Sequence, residues 1–320
     1  MSSPTLLEKY YDLIKGQSFL HLCLLESHNS CSQEADAGKG IISDQMLLNK
    51  LNQLPSIVRS YGLKSFCDDF AETQTLDVAT QLSSTGVRSL DVRVCDDGNG
   101  GLYIHHTFFI YPLPVLLDVV KTFLIAHPKE LLQIKFKWTD TQSDTDLSER
   151  IGMALTNSGV IGMTVDRAIR YDKIEKLVAD NKRLFIYIDS IGFHSPPLPV
   201  WAVGHLSEYL DKYIDTNNAS VKIAILKSQL ATLPTSSNLY TLNYTLTPDI
   251  DDYTQTVTST CCGLRKVSKG SRALRDINAT LPGIRTVFSV ETFQVKISSV
   301  SMDFVPVGSE FAEWLLLKKS

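Results

Sequence analysis

Apolar and polar positions along the chain follow two periods, and the change from one to the other recurs about eight times. Leu131 to Lys137 alternates strictly, with Leu132, Ile134 and Phe136 on one face and Gln133, Lys135 and Lys137 on the other, which predicts a strand. Between Pro112 and Ala126 the apolar residues Leu113, Leu116, Val120, Phe123 and Leu124 share a helical face, and His127-Pro128 ends it. Similar patterns predict strands over Ser18–Leu25, Val87–Val94, Arg183–Asp189, Val221–Leu226, Leu239–Leu246, Ile284–Phe293 and Ile297–Val305. Helices are expected over 44–61, where Pro55 interrupts the period, and over 70–82, 145–157, 206–215 and 309–317. No shift of composition marks a linker. The expectation is α/β, one domain over 1–320, built as a distorted (β/α)8 TIM barrel. A doubly wound sheet is the alternative, but no glycine-rich phosphate loop follows the first strand.

Composition narrows the function classes. A net charge of −4 with no Lys/Arg run excludes a dedicated nucleic-acid binder. No stretch reaches the roughly 18 apolar residues of a transmembrane span. The opening MSSPTLLEKYYDLIKG lacks a basic start followed by an apolar core, so no signal peptide is expected. The six cysteines, at 23, 31, 67, 95, 261 and 262, show no CxxC spacing, which suits a reducing, cytoplasmic setting. Asn218, Asn243 and Asn278 open N-x-S/T triplets, which carry weight only in a secreted chain.

The candidate chemistry sits where predicted strands end. Val87 to His106 (VRSLDVRVCDDGNGGLYIHH) puts Asp91 and Arg93 on one face of a strand, turns at Asp96–Gly101, and returns to His105 and His106. Other strands end at His28, Lys137, Asp189 and Asp303. In a (β/α)8 barrel those ends converge on one face. Two histidines with arginine and lysine between them suit phosphoryl transfer: one imidazole takes a proton from the attacking oxygen, the other protonates the leaving oxygen, and the cations offset charge on phosphorus oxygens. Adjacent histidines point to opposite faces of an extended chain, and neither HxH nor HExxH spacing occurs, so zinc is not expected.

Taken in order, these residues resemble the catalytic X domain of phosphatidylinositol-specific phospholipases C and their single-domain relatives. The motif Ser27-His28-Asn29-Ser30 is similar to that family's Ser/Thr-His-Asn/Asp-Ser/Thr opening. The stretch from Gln81-Leu82 through Gly86-Val87-Arg88 to Asp91-Val92-Arg93 matches its second motif, with one extra residue before the glycine. Ile104-His105-His106-Thr107, Ala126-His127-Pro128-Lys129-Glu130, Leu242–Pro248 and Ser301-Met302-Asp303 follow in the family's order over about 18–305. The resemblance implies that His28 is the general base, His106 the general acid, and Asp303 the carboxylate that orients the base. It implies that Arg93 replaces calcium and that Lys137 contacts phosphate or headgroup. Asn29 and Asp189 are candidate substrate contacts, and His105 is expected to be structural. Lys135 shares the face of Lys137 and competes with it for the contact.

Three departures qualify the resemblance. Asn29 stands where metal-independent bacterial members carry Asp and where the calcium-dependent branch carries a ligand. With Asp91 near, calcium is conceivable, yet Arg93 occupies the place of a further carboxylate and would repel the ion. No cofactor is therefore expected. Thr107 replaces the family's usual glycine, and 320 residues leave no room for the accessory modules of signalling forms. The expected partner is an inositol phospholipid at a membrane surface, met by a monomer that is cytoplasmic or peripherally attached. The loop Phe108–Pro114, with Phe193 and Trp201, either enters the lipid interface or fills the core. The rival functions are a metal-dependent glycerophosphodiester phosphodiesterase on the same barrel and a catalytically silent lipid- or partner-binding barrel.

Overall fold

The computed structural model describes residues 5–34, 72–106, 108–138, 144–189, 198–211, 213–214, 216, 218–232, 239–245 and 297–319. The predicted elements at 44–61 and Ile284–Phe293 lie outside these residues, as do Phe193 and Thr107. Ten strands are present among the described residues: β1 Leu24–Ser27, β2 Ser89–Asp96, β3 Leu102–His106, β4 Phe108–Pro112, β5 Leu132–Trp138, β6 Leu184–Ile188, β7 Gly204–His205, β8 Tyr209–Asp211, β9 Leu239–Tyr244 and β10 Ile297–Met302. Eight of them run parallel in the order β7-β6-β5-β2-β1-β10-β9-β8, so the last strand pairs with the first and the sheet curls into a nearly closed barrel. Its seam lies between the two shortest strands, β7 and β8. Strands β3 and β4 form an antiparallel flap off β2. The TIM-barrel expectation holds, in distorted form.

The alternation read from the sequence sorts side chains between two environments. On β5, Leu132, Ile134 and Phe136 are fully buried, as are Leu90 and Val92 on β2. The helix over Leu113–Ala126 buries Leu113, Leu116, Leu117, Val120, Phe123 and Leu124. The polar alternates Gln133 and Lys135 of β5 and Ser89 and Asp91 of β2 are buried too, but against polar partners. Lys135 Nζ pairs with Glu26 Oε2 at 2.6 Å, donates to Thr241 Oγ1 at 2.7 Å and lies over the Tyr209 ring. Ser89 donates to Glu26, and Tyr209 donates to Gln133. A polar layer of this kind is tolerable only when its members find partners, and these do.

Two predicted elements are corrected. Val221–Leu226 is not a strand but part of a helix, Ala219–Ala231, whose N-terminus Asn218 caps by accepting from Ser220 N and Val221 N. The segment expected as a helix over 206–215 contains a 3-10 turn, Leu206–Glu208, and then β8. The first strand starts later than expected, because Phe19–His21 forms a 3-10 turn. Asn243 is buried within β9. Cys23, Cys31 and Cys95 are buried free thiols.

Candidate functional site

His28 follows β1 directly, and three elements hold its backbone. Its N–H donates to Met302 O of β10 at 3.0 Å. Its carbonyl accepts from Thr73 Oγ1 at 3.0 Å and from Gln74 Nε2 at 2.9 Å. Gln74 also donates to Met302 O and accepts from Val305 N, which ties His28 to the turn carrying Asp303. Sequence reasoning missed Thr73 and Gln74; a buried amide in a polar run gives no periodic signal. Gln81, in contrast, lay inside a recognised motif, and it donates to Ser30 O at 2.7 Å. The turn is tight: Asn29 has φ 44° and Phe304 φ 49°, the left-handed region that bulky side chains avoid.

These supports bring His28 Nδ1 to 2.7 Å from Asp303 Oδ1, a charge-assisted hydrogen bond that leaves Nε2 as the acceptor. Asp91 Oδ2 lies 3.9 Å from Nε2, too far for a hydrogen bond. The His106 ring stands edge-on to that of His28, with centroids 6.3 Å apart. Strand register puts Arg93 of β2 beside Lys137 of β5. Lys137 Nζ reaches Asp91 Oδ1 at 3.2 Å. The half-buried Arg93 guanidinium makes no hydrogen bond or ion pair among the described residues. One end of the barrel thus gathers an imidazole oriented by a carboxylate, a second imidazole and two cations.

The electrostatics follow from these contacts. Burial works against the Asp91 carboxylate, yet Lys137, His28 and Arg93 together hold it well below the usual carboxylate range. For Lys137, burial opposes the charge and Arg93 repels it, but Asp91, Asp211 and Glu26 raise it overall. His105 is the counter-example among the histidines. It is 5% exposed, and burial followed by the nearby Arg93 outweighs a backbone contact at Val94 and lowers its imidazole to about 3. A neutral, enclosed imidazole of that kind matches the structural role expected of it.

The remaining candidates separate clearly. Lys135 is engaged with Glu26 inside the barrel, which leaves Lys137, with its side chain 31% exposed, as the accessible one. Asp189 follows β6, half-buried, its N–H donating to Phe136 O. Asp211, at the end of β8, lies within electrostatic reach of Lys137, Lys135, Glu26 and Asp91. It escaped the sequence reading because it was placed inside a helix. Of the two alternatives for the aromatics, core filling holds for Trp201, buried against Gly152, and for Phe108, which is fully buried. Phe109 is half-buried against Tyr103, with ring centroids 5.6 Å apart.

Among the described residues no helix is long and apolar enough to cross a membrane, and no three His, Cys, Asp or Glu side chains form a metal-binding group. No family model and no curated protein matches the sequence. Solved structures do resemble the chain. A phosphatidylinositol-specific phospholipase C from Listeria monocytogenes superposes with a TM-score of 0.58, covering 96% of this chain and 95% of that one at 14% identity. One from Staphylococcus aureus carrying pentafluoro-Phe gives 0.59 over 97% and 96% at 13% identity. Identity at that level speaks for architecture, and the architecture shared over nearly the whole of each chain is the (β/α)8 barrel.

Proposed function

We propose that the protein is a phospholipase C-type phosphodiesterase that cleaves the headgroup phosphodiester of an inositol phospholipid or a related lipid. One observation carries this reading: the His28–Asp303 pair stands edge-on to His106, and Arg93, within electrostatic reach of the neighbouring Asp91, has a guanidinium uncommitted among the described residues. In the proposed step, His28 Nε2 takes the proton of the headgroup hydroxyl adjacent to the phosphate. The resulting alkoxide attacks phosphorus, the bond to the diacylglycerol oxygen breaks, and His106 protonates that oxygen. A cyclic phosphate is the first product, because the adjacent hydroxyl is the nearest nucleophile. Asp303 holds the imidazole in the tautomer that accepts at Nε2 and offsets the imidazolium that forms. Arg93 and Lys137 donate to the phosphorus oxygens as charge gathers there. Asp189 is a proposed headgroup contact.

The reading needs no metal. A cation at Asp91 would have to displace the Lys137 ammonium and sit beside Arg93, and Coulomb repulsion opposes both. The proposed setting is cytoplasmic, with a monomer touching the membrane peripherally. Vesicles of phosphatidylinositol provide the test. Release of water-soluble inositol phosphate that survives EDTA and is lost in His28→Ala and in His106→Ala supports the reading. Turnover abolished by EDTA favours a metal-dependent glycerophosphodiesterase, and no turnover by the wild type favours a silent binding barrel.

A further inference from the structure

The side chain beside the base is arranged in a way that the proposed chemistry has not used. Asn29 Nδ2 lies 3.1 Å from His28 Nε2 and 3.4 Å from His28 Nδ1. An atom on the lone-pair axis of Nε2 would stand much farther from Nδ1 than from Nε2. Near-equal distances therefore put the amide over the face of the imidazole, not in its plane. The in-plane lone pair of Nε2 stays open, and the ring is covered by an N–H donor. The other half of the amide is an anomaly: Asn29 is 4% exposed, and its Oδ1 is buried with no partner among the described residues. Buried acceptors are normally satisfied.

The backbone explains how the amide is held there. Residue 29 adopts φ 44°, which Asn tolerates better than most residues. Its N–H points to Asp91 Oδ2 at 3.3 Å, and Ser30 N donates to Asp91 O at 2.9 Å. The charged groups facing the ring are Asp303 at Nδ1, Asp91 beyond Nε2 with Lys137 behind it, and Arg93. His106 faces it from the flap. The amide N–H over the ring face sets a partial positive charge against the π system of the imidazole.

We propose that Asn29 is a positioning residue for His28: its amide clamps the imidazole plane, with Nδ1 on Asp303 and Nε2 open, and its N–H favours the neutral, proton-accepting ring. This rests on the reading of His28 as the base. When Nε2 takes the proton, rotation about the Asn29 Cβ–Cγ bond exchanges N–H for Oδ1 over the ring. The partnerless oxygen then gains the imidazolium as a neighbour. The amide thereby responds to the protonation state of the base without exchanging a proton itself.

Two variants and two readouts test this. Asn29→Gly removes the clamp at a φ where glycine is unstrained, and Asn29→Asp keeps the shape while replacing the donor with a carboxylate. The ligand-free protein, labelled with ¹⁵N in histidine, reports the tautomer and titration of His28 without any substrate. In Asn29→Gly, a second tautomer is expected, with turnover on phosphatidylinositol vesicles falling roughly tenfold or more while KM stays within about twofold. In Asn29→Asp, the His28 titration and the acid limb of the pH profile move upward by about one pH unit or more. A single unchanged tautomer in Asn29→Gly, or an unmoved titration in Asn29→Asp, overturns the proposal. His28→Ala separates this from the parent reading: if that variant keeps full turnover, His28 is not the base, whatever the ¹⁵N spectra show of Asn29.

Discussion

Arg88 and Arg93 lie five residues apart at and within the same strand, and the barrel uses them in opposite ways. Arg88 is fully buried. Its Nε pairs with Glu130 Oε2 at 2.5 Å, its Nη1 donates to the carbonyls of Leu82 and Val87, and its guanidinium lies over the Phe123 ring. Glu130 Oε1 in turn accepts from Thr5 Oγ1, Leu7 N and Glu8 N, so one carboxylate joins the arginine to the first helical turn, Leu6–Lys9. Burial opposes the Glu130 charge, but Arg88 and these donors hold its carboxyl below the ordinary range. Arg93, farther along β2, is half-buried beside Lys137 and has no such engagement among the described residues. The closed end uses charge to hold the fold, and the open end, on the proposed reading, offers its charge to the substrate phosphate.

That contrast can be broken in several ways. The largest effects belong to the open end: His28→Ala and His106→Ala should each lower turnover by roughly 10²–10⁴ with an unchanged melting temperature. Arg93→Met should follow at roughly 10²–10³, again read by turnover against melting temperature. At the closed end the readouts exchange places. Arg88→Met leaves the Glu130 charge buried and should cost about 3–5 kcal/mol in denaturant unfolding, while the folded fraction keeps its turnover. A fall in turnover per folded molecule for Arg88→Met would mean that the two ends are not separate.

Smaller effects sharpen the division. Lys137→Met should weaken turnover about tenfold or more with little loss of stability, whereas Lys135→Met should destabilise, because Glu26 loses its partner inside the barrel. Equal kinetic effects from both would contradict the separation of the two lysines. His105 predicts a pH dependence of stability alone. Its ring is neutral in the folded protein down to about 3, against an ordinary 6.5 in the unfolded chain. The unfolded state therefore binds the extra proton between those values, and stability should fall as pH drops through that window, by up to about 1.4 kcal/mol per pH unit. Asp91 adds to the fall only at lower pH, since its depressed carboxyl supports the fold above 3.8 and loses that contribution below it. Unfolding free energies of His105→Phe should lack the part between 6.5 and about 3.

The sequence made some of this legible and hid the rest for physical reasons. Strong period-two runs such as Leu132–Trp138, and the helix closed by His127-Pro128, were readable because burial on one face dictates the spacing. The candidate residues His28, Arg93, His106 and Asp303, whose roles are proposals, stood out because chemistry-bearing side chains at strand ends contrast with apolar runs, and the fold brings His28 to Asp303 and His106. The helix Ala219–Ala231 was misread because Val221, Ile223, Ile225 and Leu226 mimic alternation, although Asn218 carried a capping signal. Strand β8 has three residues, too few for any period to register, and Asp211 went unnoticed with it. The roles of Gln74 and of the Asn29 amide depend on contacts between turns distant in sequence, which no local pattern encodes.

The most direct measurement compares initial rates of water-soluble inositol phosphate release from phosphatidylinositol vesicles by the wild type and by His28→Ala at matched folded concentration. The expected result is metal-independent release by the wild type and a loss of roughly 10²–10⁴ in the variant. Equal rates for the two, or no release by the wild type, would contradict it.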